Sequence, residues 1–559
     1  MAKLTSPVLI LGAGINGCAL ARELLLAGVP VTLVDSADIS SGATAYSSRL
    51  IHGGLRYLEY GEFDLVRESL AERTRLLRLA PHLIKPLQLS IPVARRFGGL
   101  TQAALRFIGW KRWPASAAGH DRGLTTLRMG LRLYDAYAAD PQLPRHRVVS
   151  VADSPVPVDR ARYRWLCQYY DAQVMYAERL TLALLRDAQR VSQESGVPLE
   201  VFTHHDAHRT AGEVELRPTY SAGSDDTIRH LRPAAIVNAT GAWVDDSLRR
   251  LEVPSPRLIG GTKGSHLITF HPALRAALAE GGIYAEARDG RPVFILPLGA
   301  AVLIGTTDIP WEKPPEAARA SEPEVDYLLA AVNEVLPEVR FSRGDVDFCY
   351  SGVRPLPYVK ASATASITRR HLIHEHADAP LPMISLIGGK LTTCRSFAAE
   401  AAARLLARFD MASPESSASR PLPGGQNYPE SPVALAAEQQ RLTSQAGLPL
   451  AAVRGIWDLH GTDTESILRE IAGDATMLAG TPLPRAFVAW TFRNEWVGTL
   501  SDLIERRLML LYHQDFGLPA ITALAELFAA ERRLPTAEVP RLVDQVVSDL
   551  HDRYGKRFA

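Results

Sequence analysis

The chain has 559 residues, 47% hydrophobic and 22% charged, with a formal net charge of +1. That length and balance build two or three cored domains rather than a disordered chain, and they give no basic excess for nucleic acid. Cys18, Cys167, Cys349 and Cys394 are scattered without C-x-x-C, which fits a reducing compartment and predicts neither a disulfide framework nor a metal site.

The N-terminus "MAKLTSPVLILGAG" lacks the apolar core and cleavage site of a signal peptide. No run approaches the roughly 18 uncharged apolar residues that span a bilayer. The expectation is a cytoplasmic protein whose membrane contact, if any, is peripheral.

In chain order, Val8–Leu11 reads as a strand, Gly12–Gly17 as a turn, Cys18–Ala27 as a helix and Val31–Asp35 as a strand. Both strands are apolar throughout, the pattern of a parallel sheet covered on both faces. After the loop "SADISSGATAYSS", Glu59 to Ala80 has helical spacing and stops before Pro81. Later strand-like runs are "AAIVNATG" (234–241), "SHLITF" (265–270), "PVFILPL" (292–298), "AVLIGTT" (301–307) and "MISLIGG" (383–389). They suggest a dinucleotide-type sheet interleaved with a second sheet. Residues 411–432 have the composition of a linker, and the chain beyond them reads as helical.

Gly12, Gly14 and Gly17 form G-x-G-x-x-G between strand and helix. The first permits a tight turn, the second lets backbone approach a pyrophosphate, and the third lets helix and strand pack closely. Asp35, 18 residues after Gly17, is placed to accept from ribose hydroxyls and disfavours a 2′-phosphate. An NAD domain would continue with further β-α units. Here "RLIHGGLRYLE" intervenes and the next strand ending in a glycine turn is "IVNATGAWVDD". A split nucleotide domain suits FAD, whose ring must reach a second domain.

Four segments present a cation on a constrained backbone. They are "SSRLIHGGLRYLEYGEF" with Arg56, "YSGVRPLP" with Arg354, "LIGGKLTTCR" with Lys390, and "GGTKGSHLI" with Lys263 and His266. Such cations beside apolar residues suit an anionic substrate, and arginine grips phosphate or carboxylate in two places.

The ordered set "LGAGINGCALARE", "SSRLIHGGLRYLE", "VNATGAWVDD", "KGSHLI", "IGTTD", "YSGVRPL" and "GGKLTT" resembles the FAD-dependent glycerol-3-phosphate dehydrogenases over about residues 5–405. The helical region with "NEWVGTLSDLIERRLML" also resembles that family's terminal domain. The resemblance implies oxidation of sn-glycerol 3-phosphate to dihydroxyacetone phosphate by hydride transfer from C2 to flavin N5, with electrons passed to membrane quinone. By carry-over Arg56 and Arg354 hold the phosphate with Tyr57 nearby, and Lys390 lies close to flavin and substrate oxygen. His52 or His266 takes the hydroxyl proton, since imidazole titrates near neutrality. Ser47, Ser48, Gly53, Gly54, Gly241, Trp243, Gly389, Leu391 and Thr392 complete the implied FAD contacts. The chain departs from the family's "DDARL"-like segment at "MYAERLTLALL" (175–185), where a helix is still expected.

The implied fold is α/β: a Rossmann-like FAD domain (1–85, 155–248, 350–408) interleaved with an antiparallel-sheet substrate domain (86–154, 249–349). A linker (409–432) and an all-α C-terminal domain (433–559) follow. Residues 91–132 hold eight Arg/Lys and one acid, and Leu100, Ala103, Ala104, Phe107 and Ile108 share a helical face. That pattern suits a basic amphipathic helix on an anionic membrane or a helix packed in the second domain. "THHDAH" and "HLIHEH" read as surface histidines. Two further readings stay open, a soluble oxidase of another small hydroxy- or amino-acid using O2, and a flavin-binding module without turnover. A homodimer is compatible with all three.

Overall fold

The computed structural model describes residues 4–58, 61–97, 123–138, 140, 142–210, 213–220, 227–360, 370–412 and 417–558. A six-stranded sheet is laid down first by β1 (Val8–Leu11) and β2 (Val31–Val34), which pair in parallel. On the other side of β1 lies Ala235–Asn238, then Met383–Ile387, both parallel, and an antiparallel edge strand Leu372–Glu375. Leu199–Phe202 extends the sheet beyond β2. β1, β2 and Ala235–Asn238 are buried at every residue, as strands covered on both faces must be. The helix α1 (Ile15–Leu26) crosses from β1 to β2 and packs against the helices Ala177–Ser195 and Cys394–Arg408. It begins three residues before the expected Cys18, because Gly14 already has extended backbone at the cap and helix begins immediately after it.

A second, ten-stranded sheet is mostly antiparallel. Ile84–Val93 and Gly281–Glu286 are an exception and run parallel. Trp165–Val174 and Phe348–Arg354 both lie in this sheet, paired with Ile84–Val93 and Thr262–Thr269. This corrects the expected assignment of 155–174 and 350–354 to the nucleotide domain. Trp165–Val174 pairs with Ile84–Val93 along a ten-residue ladder, and Phe348–Arg354 pairs with Thr262–Thr269 over seven residues. Leu50–Ile51 joins the same sheet, so the segment after β2 already crosses between layers.

Two further corrections concern local elements. Helix occupies Phe63–Leu79 rather than Glu59–Ala80, because Gly61 sits at φ +73° and breaks the pattern, while a separate short helix covers Leu55–Leu58. The stretch read as a linker is packed in its described second half. Leu422 is fully buried, its N–H donates to Leu79 O at 2.9 Å, and Gly424 lies against the His460 backbone. From Pro432 to Tyr554 the chain is mostly helical and shares one core with the ten-stranded sheet. Among the described residues no helix is long and apolar enough to cross a membrane.

Candidate active site

The turn after β1 is drawn tight. Gly12 N–H donates to Val34 O at 2.7 Å with φ +100°, and a Cβ on Gly12 would lie 2.6 Å from Ala239 O. Asp35 Oδ2 accepts from Ala13 N at 2.7 Å and Oδ1 from Ala37 N at 2.9 Å. Burial raises this carboxyl to about 6 against the opposing pull of those two N–H groups. Ile15 N–H at the head of α1 donates to Thr44 Oγ1 at 3.1 Å, which ties the Ser/Gly loop to the helix start.

A cleft of about 370 Å³ runs from this turn into the second sheet. Of the expected residues it is lined by Gly12, Gly14, Asp35, Ser47, Ser48, His52, Tyr57, Gly241, Trp243, His266, Arg354, Gly389, Lys390 and Leu391. Gly17, Gly53, Gly54 and Thr392 are not among the residues that line it. A Cβ on Gly17 would sit 1.9 Å from Gly12 O, so this glycine serves helix–strand packing. Gly53 N–H donates to Tyr134 OH at 2.9 Å and Asp171 Oδ1 at 3.3 Å. A Cβ on Gly54 would strike the Tyr57 ring at 2.1 Å. Thr392 Oγ1 accepts from His52 N at 3.1 Å and so fixes the histidine backbone. The Arg56 side chain lies outside the described residues.

Arg354, at the end of Phe348–Arg354, is held at the cleft wall by Thr306 Oγ1 (3.0 Å), Thr307 O (3.2 Å) and Asp308 Oδ1 (3.1 Å). Lys390 Nζ stands 4.0 Å over the Tyr57 ring and donates to Ser69 Oγ at 3.3 Å. His266 is buried, shares a 2.8 Å hydrogen bond with Ser48 Oγ through Nε2, and stacks on Tyr350. Burial, then the charges of Arg354 and Arg49, holds it well below the usual histidine range. His52 is half-buried in the cleft, and burial followed by Lys390 pushes it down to about 3. Both imidazoles are therefore neutral near neutrality.

The structure corrects the expectation that Lys263 belongs with the anion-binding cations. It lies inside the strand Thr262–Thr269, buried, with Nζ 2.6 Å from Glu324 Oε2. Its charge is already compensated. Two of the expected surface histidines are also corrected. His376 is buried against Ser385 Oγ at 2.8 Å, and His204 Nε2 meets Asp502 Oδ2 at 2.9 Å. Asp38 joins His204 and Asp502, but Arg506 and Arg507 supply the countercharge there.

Sequence reading missed Asn16, Tyr46, Phe294 and Asp308, all around the cleft or its arginine. Asn16 ties the start of α1 to the end of Met383–Ile387, its Nδ2 donating to Gly388 O at 3.2 Å while its Oδ1 is buried and unsatisfied by protein. The signal was present in "GINGC", between the second and third glycines. That orphaned acceptor, the Gly12–Gly14 turn and the Asp35 carboxylate fit a dinucleotide laid along β1 and β2. The cleft's continuation between two sheets fits a ring system delivered into a second layer.

These features define a flavin-type dinucleotide oxidoreductase. Residues 7–395 match the model of FAD dependent oxidoreductases, and residues 416–539 match the C-terminal domain of alpha-glycerophosphate oxidase. The chain belongs to this FAD-dependent oxidoreductase family, and its cofactor is FAD. It is 34% identical to a glycerol-3-phosphate dehydrogenase of Synechocystis sp. over 93% of this chain and 91% of that protein. It is 30% identical to D-erythritol 1-phosphate dehydrogenase of Brucella abortus over 91% of this chain and 95% of that one. The fold matches a glycerol-3-phosphate dehydrogenase from Bacillus halodurans complexed with FAD, with TM-score 0.71, 20% identity, and coverage of 98% and 95%.

Proposed function

We propose that this protein oxidises sn-glycerol 3-phosphate to dihydroxyacetone phosphate and passes the electrons to a membrane quinone. The observation that carries this reading is Arg354, a guanidinium held at the cleft wall by Thr306, Thr307, Asp308 and Thr262 and still 26% exposed at its side chain. Beside it lies a chain 34% identical to a glycerol-3-phosphate dehydrogenase over nearly its full length.

Bound FAD supplies the hydride acceptor at N5. Arg354 grips the phosphate, with Arg56 assigned to the same group by resemblance. Oxidation takes the C2 hydrogen as hydride and the hydroxyl hydrogen as a proton, and the C2–O bond becomes a carbonyl. His52 accepts that proton. Its ring makes no hydrogen bond among the described residues, whereas His266 is engaged by Ser48 and buried. Lys390 stabilises negative charge growing on the C2 oxygen, as a fixed cation in a partly dry cleft can.

Anaerobic addition of glycerol 3-phosphate should bleach the flavin band near about 450 nm, and glycerol should not. No bleaching by any phosphorylated polyol would sink the proposal and leave the module without turnover, while peroxide release with O2 alone would favour an oxidase. The Brucella abortus relative supports a second reading, oxidation of a longer polyol phosphate. Faster bleaching by D-erythritol 1-phosphate would select it.

Contact with the membrane from the cytoplasmic side rests on a patch flanking residues 98–122, where the expected amphipathic face falls outside the described residues. Phe97 and Met129 are 67% and 64% exposed amid the exposed Arg95, Arg96, Arg128 and Arg132. Apolar side chains within a cationic rim suit an anionic bilayer. Phe97→Glu with Met129→Glu should abolish co-sedimentation with phosphatidylglycerol vesicles. Undiminished binding would count against this face.

A further inference from the structure

The loop between β2 and Leu50–Ile51 forms much of the cleft wall, through Ser41–Thr44 and Tyr46–Arg49. It has almost no regular structure of its own. The C-terminal helical region reaches it at three places. At its start, Asp38 accepts both terminal nitrogens of Arg507, each at 2.7 Å, and Arg506 Nε at 2.6 Å. The two arginines are adjacent on the π-helix Leu503–Arg507 and all three groups are buried. In its middle, Tyr46 OH meets Tyr554 OH at 3.4 Å. At its end, Arg49 donates to Tyr512 OH at 2.7 Å while pairing with Glu178.

We propose that the C-terminal region is a clamp that holds this loop in its FAD-binding conformation, with Arg507, Tyr512 and Tyr554 as positioning residues for the cofactor. An irregular loop ordered only after binding charges its ordering cost against affinity, and a loop ordered beforehand does not. Buried ion pairs suit the purpose because breaking one strands an uncompensated charge, so the held geometry has no close competitor. The inference rests on FAD occupying the cleft and is independent of the substrate.

The test uses the full-length holoprotein and reads FAD release on dilution by recovery of flavin fluorescence, without substrate. Asp38→Asn should raise the FAD dissociation constant by about tenfold or more, the factor for a loop competent one time in ten. Tyr512→Phe, which is isosteric and removes one hydrogen bond, should raise it by a smaller factor and change the visible circular dichroism of the flavin that remains. Asp187→Asn breaks the buried Arg22–Asp187 pair, which touches no loop residue, and should lower the thermal midpoint with FAD affinity unchanged. Unchanged affinity in both loop variants would overturn the clamp, as would an equal loss in Asp187→Asn. Should Asp38→Asn fail to fold, Tyr512→Phe decides alone.

Discussion

Arg354→Ala is expected to raise KM for glycerol 3-phosphate by about 30- to 1000-fold and to leave FAD bound. The range follows from losing about 2–4 kcal/mol of charge-assisted hydrogen bonding at about 1.4 kcal/mol per decade. The structure adds a second contribution in the same direction. Arg354 neutralises Asp308 at 3.1 Å, so its removal leaves a carboxylate beside the phosphate site. Adding Asp308→Asn to Arg354→Ala should therefore recover part of the lost affinity, a coupling that a double-mutant cycle measures. Steady-state kinetics and the flavin-to-protein ratio check both statements. An unchanged KM would remove Arg354 from the phosphate site, and loss of flavin would make it a cofactor residue.

Gly17→Ala should cost about 3 kcal/mol or more, at the top of the range for overpacking, and should yield protein that does not retain FAD. The new methyl would stand 1.9 Å from Gly12 O, a backbone atom that no rotamer change can move away. Relief requires α1 to lift from the β1 turn, and the same turn carries Gly14 on the cleft wall. Gly130→Ala is the informative contrast. It lies within the helix Leu124–Ala138 with no described atom within 4 Å of its Cβ position. It should gain about 0.5–1 kcal/mol from helix propensity. Thermal midpoints and flavin content separate the two. A Gly17→Ala protein with normal flavin would show that the turn tolerates separation.

What could be read without coordinates was what neighbours in the chain determine. Strand, glycine turn, helix and strand form one continuous unit that neighbouring residues determine, and the structure forms each of them. The run "MISLIGG" also reads as a strand, and the structure has Met383–Ile387 there with Lys390 three residues past its end, beside the cleft. What escaped depended on distant partners. Lys263 looks like a free cation until Glu324, 61 positions away, is seen against it. Gly53 looks like a cofactor glycine until Tyr134 and Asp171, 81 and 118 positions away, receive its N–H. His204 gains its partner 298 positions on. Arg49 lies inside "SSRLIHGG", and nothing in sequence says that its side chain turns inward to Glu178 and Tyr512.

In the antiparallel pair of Thr262–Thr269 with Phe348–Arg354, Gly264 stands directly opposite Gly352. Both line the cleft, where a Cβ on the first would meet the Arg354 guanidinium at 2.2 Å and one on the second would meet Tyr46 Cβ at 2.6 Å. Two bare positions facing each other make a window in the sheet, and no smaller residue exists with which to widen it. This wall is therefore already at its limit, and any relative that accommodates a longer phosphorylated polyol must find the space elsewhere. Phe294, on the strand Pro292–Leu298 that Ala301–Gly305 separates from Thr262–Thr269, is one of the lining side chains that have volume to give. Under the proposed assignment, room for a longer polyol phosphate has to come from side chains such as Phe294 rather than from the Gly264–Gly352 pair.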